Sequence, residues 1–264
     1  MSPVNDNVRI LIEAWKLMVS RLPGSTVQHE AGVASMFGQV PLSFLNISAQ
    51  DHPLLTVADL RAALTLMRDR AKSCQHRSLI ALCEEWLPAG WERTAAEEGY
   101  KLALNMTWMT ANRLLPPRRP ANPILEFRRV SDDATARDLA IINAHAYGME
   151  LNLFECICNM QLWLPQNSSY GYVGYVDRRA VTSAATYSVG GTAYVAFVAT
   201  MPDSHGKGYA EAVMRHAIEQ GSASMNLTEL TLHASDMGRP LYQSMGFEPG
   251  GKTPLLAAET PATH

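Results

Sequence analysis

The sequence predicts an α/β fold of the α+β kind, in which helices flank a mixed but mostly antiparallel sheet. First, β-rich segments over 170–200 are separated by Asp177-Arg178-Arg179 and Gly190-Gly191, which are typical of hairpin turns. Second, the apolar segment 194–200 leads through a glycine-containing loop into a helical pattern and a further β segment. Third, residues 1–115 carry a weaker copy of the same order of elements.

Prolines divide the chain near its middle. Four of the nine residues from Leu115 to Pro123 are proline, which excludes a helix interior or a central strand and favours an extended connector. We therefore predict an N-terminal domain over 1–115, a Pro-rich linker over 116–124 and a second domain over 125–264.

The second half has the clearer pattern of elements. The predicted strands are 125–130, 170–176, 181–188, 194–200 and 229–234. The predicted helices are 132–147, with Asp132 or Asp133 as its cap, about 153–164, and one after residue 208. That last helix has Ala210, Val213, Met214, Ala217 and Ile218 on one face.

The first half predicts a helix whose apolar face holds Val8, Leu11, Ile12, Trp15, Met18 and Val19. The further predicted elements are strands 32–37, 42–47, 79–83 and 102–108 and a helix over 56–72. Thr56 and Asp59 resemble a capping box at the start of that helix. Pro53-Leu54-Leu55 precedes it, where a glycine-rich loop would need backbone donors that proline lacks.

Composition restricts the class of protein. The net charge is −3 and 47% of the residues are hydrophobic, which fits a globular protein and disfavours electrostatic binding to nucleic acid. We expect no membrane span and no signal peptide. The four cysteines lack zinc-type spacing and are expected to be buried reduced thiols. We predict a soluble cytoplasmic protein without a metal site, and leave a homodimer open.

The segment His205-Gly206-Lys207-Gly208-Tyr209-Ala210 predicts an anion site. Glycines let the backbone approach a ligand closely, and the free N–H groups at a helix N-terminus favour negative charge. The segment lacks both the P-loop pattern and the third glycine of a dinucleotide fingerprint, where Glu211 stands.

The second half resembles the GCN5-related N-acetyltransferases, the GNAT superfamily, over roughly 125–250. His205, Gly208 and Ala210 fall on the marked positions of that family's loop, Arg/Gln-x-x-Gly-x-Gly/Ala, with His205 in place of Arg or Gln. Leu-Tyr-x-x-x-Gly-Phe is met by Leu241, Tyr242, Gly246 and Phe247. The whole chain resembles tandem acetyltransferases with a degenerate N-terminal module. An unrelated N-terminal domain or helical extension stays an alternative for residues 1–115.

The resemblance implies acetyl-CoA as co-substrate and assigns parts of it to residues of this chain. The implied cofactor-binding residues are Val198, Ala199, Thr200, His205, Gly206, Lys207, Gly208, Tyr209 and Ala210. The loop would hold the pyrophosphate, and the edge of strand 194–200 would pair with the pantetheine arm. Tyr242 would protonate the departing thiolate, and the Val198 N–H would polarise the thioester carbonyl.

The general base and the acceptor are left open. His233, His145, Glu150, Glu155 and water are alternatives for the base. The acceptor pocket would draw on residues 145–170, although packing against the sheet explains the same apolar side chains. These are Leu153, Phe154, Ile157, Met160, Leu162 and Trp163.

Three functions follow from this reading. The leading one is N-acetyl transfer from acetyl-CoA to a primary amine of a small molecule. The alternatives are an acyltransferase that acts on a peptide or aminoacyl acceptor, and a non-catalytic CoA-binding or interaction module.

Overall fold

The computed structural model describes residues 3–120, 122–163 and 167–259. The chain divides into two compact units, and neither is one continuous segment. Unit 1 comprises residues 1–108, 233–237 and 249–264, and unit 2 comprises 109–232 and 238–248. In the described part of the chain, no helix is both long and apolar enough to span a membrane.

Unit 1 is built on a mixed sheet with the strand order β1-β2-β3-β4-β11-β5. Its elements are α1 (Pro3–Val19), β1 (Thr26–Glu30), β2 (Val33–Phe37), β3 (Asn46–Gln50), α2 (Val57–Ala71), β4 (Leu79–Ala81), α3 (Trp91–Glu97), most of β5 (Tyr100–Ala111) and most of β11 (Glu248–Ala258). Neighbouring strands from β1 to β3 are antiparallel, β4 is parallel to β3, and β11 is antiparallel to β4.

Unit 2 repeats this plan with the strand order β10-β9-β8-β7-β6. Its elements are β6 (Glu126–Arg129), α4 (Asp133–Ala146), α5 (Leu151–Phe154), β7 (Ser169–Val176), β8 (Arg179–Val189), β9 (Thr192–Thr200), α6 (Tyr209–Met225), the start of β10 (Leu230–Ser235) and α7 (Arg239–Ser244). Strands β6 to β9 pair antiparallel, and β10 is parallel to β9. The predicted mixed, mostly antiparallel sheet flanked by helices is confirmed.

Local sequence signals account for several element boundaries. Thr56 accepts a hydrogen bond from the Asp59 N–H while Asp59 accepts one from the Thr56 N–H, so the predicted capping box is present. Asp132 caps α4 in the same way. The β7–β8 turn has positive φ angles at Asp177 and Arg178. These angles match the right-handed twist of a tight hairpin.

Four segments differ from the sequence-based expectation. The strand predicted over 42–47 begins only at Asn46, because residues 43–45 form a 3-10 turn. The helix predicted over 153–164 is the short α5 followed by two 3-10 turns, Glu155–Cys158 and Met160–Trp163, and Leu164 lies outside the described residues. Strands β1 and β11 were not predicted, and β11 contains two prolines and two glycines.

Candidate functional site

The β9–α6 junction has the geometry of an anion-binding loop. Strand β9 ends at Thr200, and a 3-10 turn over Pro202–Ser204 leads to Gly206 and Gly208, whose φ angles are +74° and +80°. This left-handed conformation is strained for any residue with a Cβ. The two glycines therefore set the direction in which the chain enters α6.

The loop leaves its backbone donors open. Within the described ranges, the N–H groups from Gly206 to Ala210 donate to no protein acceptor. The first hydrogen bond of the helix runs from the Ala212 N–H to the Gly208 carbonyl, at 3.1 Å. Unpaired N–H groups and the positive end of a 17-residue helix dipole together favour an anion.

His205 contacts its own strand. Its Nε2 lies 2.9 Å from the Thr200 carbonyl oxygen. Since a carbonyl only accepts, Nε2 carries the hydrogen and donates it. This bond ties the loop to the end of β9 and leaves Nδ1 as the ring nitrogen that can face a ligand.

Arg119 of the Pro-rich segment also reaches the loop, and the sequence reasoning missed it. Its Nη1 donates to the Gly206 carbonyl at 2.8 Å, and its Cδ lies 3.8 Å from where a Cβ on Gly208 would be. The guanidinium keeps further donors for a ligand. With exposed Lys207, it places two cations beside the open N–H groups. A basic pair, Arg118-Arg119, was the available signal, but a linker position does not reveal a contact 87 residues away.

Strand β9 carries a bulge where the implied thioester contact lies. On β8, Ala184 stands alone between Ser183 and Ala185, whose partners are Ala199 and Ala196, so two residues of β9 oppose one. One of these two is Phe197, with a φ of +53°. The other is Val198.

The opposite edge of β9 is largely unpaired. Its ladder with β10 joins Ala193 to Leu230 and Tyr194 to Thr231, and no further pair occurs within residues 167–259. The edge beyond Tyr194, which includes Val198, Ala199 and Thr200, is therefore available to an extended ligand.

Tyr242 lies in α7 and is buried, with 8% of its surface exposed. Burial raises the pKa of Tyr242 above its ordinary value of about 10, and the nearby phenol of Tyr147 adds to the rise. Burial likewise raises the pKa of Tyr194 on β9, to which Tyr242 contributes. The Tyr242 hydroxyl is therefore protonated at neutral pH and can act as a proton donor.

Glycines make room for the Tyr242 ring and for the residues that follow it. A Cβ on Gly238 would lie 2.9 Å from Cε2 and 3.3 Å from the hydroxyl of Tyr242. Gly246 has a φ of +101°, and a Cβ there would lie 3.0 Å from Cγ of Leu115. The glycine of the Leu-Tyr-x-x-x-Gly-Phe motif thus ends the helical turn and lets the linker pack closely.

The four side chains considered for the general base lie in different units and differ in burial. His233, in unit 1, bonds through Nε2 to Asn7 Oδ1 at 2.9 Å and meets Trp15 edge to face. Burial lowers the pKa of His233 to about 3, so its imidazole is neutral. These contacts favour a structural role for it. His145, Glu150 and Glu155, in unit 2, are exposed.

The apolar residues proposed for the acceptor pocket are mostly core. Trp163 is 1% exposed, packs near Tyr187 and Phe197, and donates from Nε1 to the Ile157 carbonyl at 3.0 Å. Phe154, Ile157 and Leu162 are buried, Leu153 is half-buried, and the Met160 side chain lies outside what the structure describes. Packing therefore accounts for this stripe.

Unit 1 has a cleft of about 480 Å³ beside α1 that the sequence did not indicate. In its wall, Asp51 contacts His29 at 2.6 Å and His52 at 2.9 Å. Burial raises the pKa of Asp51, but hydrogen bonds from the two imidazoles outweigh it and the pKa is lowered overall. Across the described residues, no group of three or more His, Cys, Asp and Glu side chains is arranged to hold a metal ion.

Comparisons with known proteins agree with this geometry. Residues 155–254 match the family model of the acetyltransferase (GNAT) domain, a segment that contains β9, the loop, α6 and α7. No curated protein matches the sequence significantly.

Solved structures show the same fold over nearly the whole chain. A GCN5-related N-acetyltransferase from Kribbella flavida is 18% identical with a TM-score of 0.70, and the match covers 97% of each chain. A conserved protein of unknown function from Staphylococcus epidermidis is 12% identical with a TM-score of 0.66, over 90% of this chain and 95% of that one. A tandem GNAT protein from the clavulanic acid biosynthesis pathway is 13% identical with a TM-score of 0.58, over 98% and 94%.

Proposed function

We propose that this chain, a member of the GNAT superfamily, transfers an acetyl group from acetyl-CoA to a primary amine of a small molecule. The GNAT domain supports acyl transfer in general. The observation that carries the proposal is the run of open N–H groups from Gly206 to Ala210 at the start of α6, beside an unpaired strand edge.

The cofactor would lie along these two features. Its pyrophosphate would accept hydrogen bonds from the loop N–H groups, with Arg119 and Lys207 adding positive charge. Its pantetheine amides would pair with the edge of β9 near Val198 and Thr200. The thioester would then come to the bulge at Phe197 and Val198.

The reaction needs no covalent enzyme intermediate. The amine nitrogen attacks the thioester carbonyl carbon, so an N–C bond forms as the C–S bond breaks. The Val198 N–H stabilises the negative charge on the carbonyl oxygen, and Tyr242 protonates the departing thiolate. Before the attack, the ammonium form of the acceptor loses one proton to a base that we do not assign. As the amide forms, the nitrogen loses a second proton to solvent, and Tyr242 regains its proton from solvent.

The test measures thiol release from acetyl-CoA with a panel of primary amines, together with the affinity for CoA. We expect turnover with at least one amine. The replacement Tyr242→Phe should lower kcat about 100-fold with little change in CoA affinity, since general acid catalysis contributes at least that much.

Tyr172→Phe is the matched control, because Tyr172 is equally buried, at 8% exposed, and lies on β7 against His216. Unchanged kcat in Tyr242→Phe would remove that phenol as the acid. CoA binding without turnover on any amine would favour a non-catalytic module instead.

A further inference from the structure

A chain of buried polar groups crosses the apolar core of unit 2 and ends at the β9 bulge. Asn143 on α4 and Ser183 on β8 have no exposed surface. Asn143 Nδ2 donates to Ser183 Oγ at 3.1 Å, and Ser183 Oγ donates to the Phe197 carbonyl at 2.9 Å. The polar chain therefore joins a helix and two strands at one peptide group.

Core packing alone does not explain this polar chain. Asn143 Nδ2 also donates to the Leu139 carbonyl at 2.9 Å, which fixes the orientation of the amide. Asn143 Oδ1 has no hydrogen-bond partner in the described part of the chain. An unsatisfied buried acceptor destabilises the fold, and leucine at this position would avoid that cost.

The bulge needs support. Phe197 has a φ of +53°, and this left-handed conformation is strained for a residue with a large side chain, so it persists only where the surroundings hold it. The Ser183 hydroxyl holds the carbonyl of that residue. Since a trans peptide is planar, its C=O and the next N–H point in opposite directions. Anchoring the Phe197 carbonyl therefore fixes the direction of the Val198 N–H, away from Ser183.

We propose that Ser183 and Asn143 are positioning residues that aim the Val198 N–H at the thioester carbonyl oxygen. Asn143 orients the Ser183 hydroxyl, and Ser183 orients the Phe197–Val198 peptide. This inference rests on the proposed function, since it assigns to the Phe197–Val198 peptide the role of stabilising the negative charge that develops on the thioester oxygen during acyl transfer. Neither side chain touches the substrate.

The kinetic test is Ser183→Ala, which removes the donor and leaves a small side chain. We expect kcat to fall about tenfold, less than the 100-fold or more of a deleted oxyanion donor, because the N–H remains but is no longer fixed. The KM for acetyl-CoA and the Kd for CoA should stay within twofold. Asn143→Leu should lower kcat similarly, and the double variant should fall no further than the larger single effect.

Thr186→Val is the matched control. Thr186 is also fully buried on β8, but its hydroxyl has no hydrogen-bond partner among the described residues. Its kcat should match the wild type. A kcat within twofold of wild type in Ser183→Ala, or an equal loss in Thr186→Val, would overturn the proposal.

A spectroscopic readout separates this proposal from the proposed function and needs no turnover. In the CoA complex, Ser183→Ala should shift the Val198 amide resonance more than those of the rest of β9, while Thr186→Val leaves it in place. If the Val198 resonance does not shift, the positioning role is refuted even if the enzyme is active. A wild-type protein without turnover would refute the acyl transfer, and this resonance would still decide the role of the polar chain.

If Ser183→Ala does not fold, Ser183→Cys replaces it, since a thiol is a much weaker donor of similar size.

Discussion

The β3–α2 junction of unit 1 and the β9–α6 junction of unit 2 occupy the same place in the same order of elements, but only the second has five consecutive N–H groups, from Gly206 to Ala210, without a protein acceptor among the described residues. In unit 1 the Asp51 N–H bonds to the Gly32 carbonyl and the Leu54 N–H to the Trp86 carbonyl. Pro53 has no N–H, and the Thr56 N–H bonds to Asp59. Topology therefore places the loop in both units, and the longer run of unpaired donors in unit 2 favours an anion there.

The short helices α3 in unit 1 and α7 in unit 2 also differ in the side chains that they carry. Gly99 and Gly246 both end a short helix with positive φ, at +78° and +101°. Four residues before each stand Ala95, which is buried, and Tyr242. Unit 1 thus has neither the open loop nor the phenol at these positions. The comparison predicts one CoA site per chain, in unit 2.

The strongest test of this difference is Gly208→Ala. A methyl group at this left-handed position strains the loop and projects where a phosphate approaches the N–H groups, so we expect CoA affinity to fall about 100-fold, or about 2.7 kcal/mol. Gly191→Ala in the β8–β9 turn is the control, since Gly191 has a similar φ of +87° and open space. Calorimetry should give one site per wild-type chain. Two sites, or retained affinity in Gly208→Ala, would break the comparison.

A second test of the difference between the two junctions removes the charge of Arg119. Arg119→Ala should raise the Kd for CoA about tenfold at low salt, because a charged hydrogen bond contributes about 1.5–3 kcal/mol before exposure and salt reduce it. Arg118→Ala, which changes the exposed neighbouring guanidinium, should have little effect. Binding measured at two salt concentrations checks this assignment. Equal losses in the two variants would mean that Arg119 acts only through net charge.

A separate prediction concerns acid stability in unit 1. The folded-state pKa of His233, about 3, lies below the unfolded value of about 6.5. Its neutral form therefore stabilises the fold above about pH 6.5, and this contribution is lost as the pH falls toward 3. The slope is at most about 1.4 kcal/mol per pH unit.

Urea unfolding between pH 7 and 4 measures this slope. We expect His233→Gln to be less sensitive to pH than wild type, and His145→Gln, at an exposed position, to behave like wild type. Equal slopes in all three proteins would show that His233 does not control the acid sensitivity of unit 1.

Sequence patterns identified most elements because their signals are local. The Thr56 and Asp132 caps and the β7–β8 and β8–β9 turns depend on residues within a few positions of one another. Strand β11 was not predicted, because Gly250 and Gly251 weaken the sequence pattern of a strand. The structure needs them: a Cβ on Gly250 would lie 2.3 Å from the Trp108 ring, and one on Gly251 would lie 2.5 Å from Glu85.

The division of the chain into domains shows the same limit. The sequence predicts a cut in the Pro-rich segment, whereas the compact units draw residues 233–237 and 249–264 into unit 1. Strand β11 pairs with β4, more than 170 residues earlier in the chain, with Leu255 opposite Ala81. No local signal reports such a pairing, because any exposed strand edge offers the same backbone groups.

The sequence by itself determined the glycine-containing loop before α6 and the motif around Tyr242, because glycine spacing and a helix start are properties of neighbouring residues. Only the tertiary structure decided what surrounds them. It brings Arg119 to Gly206, turns His205 back to Thr200, and places Ser183 under the Phe197 carbonyl. The Arg119 and Ser183 contacts depend on packing between segments that are separate in the chain, and the His205 contact depends on how the loop folds back, so a pattern read along the chain does not contain that information.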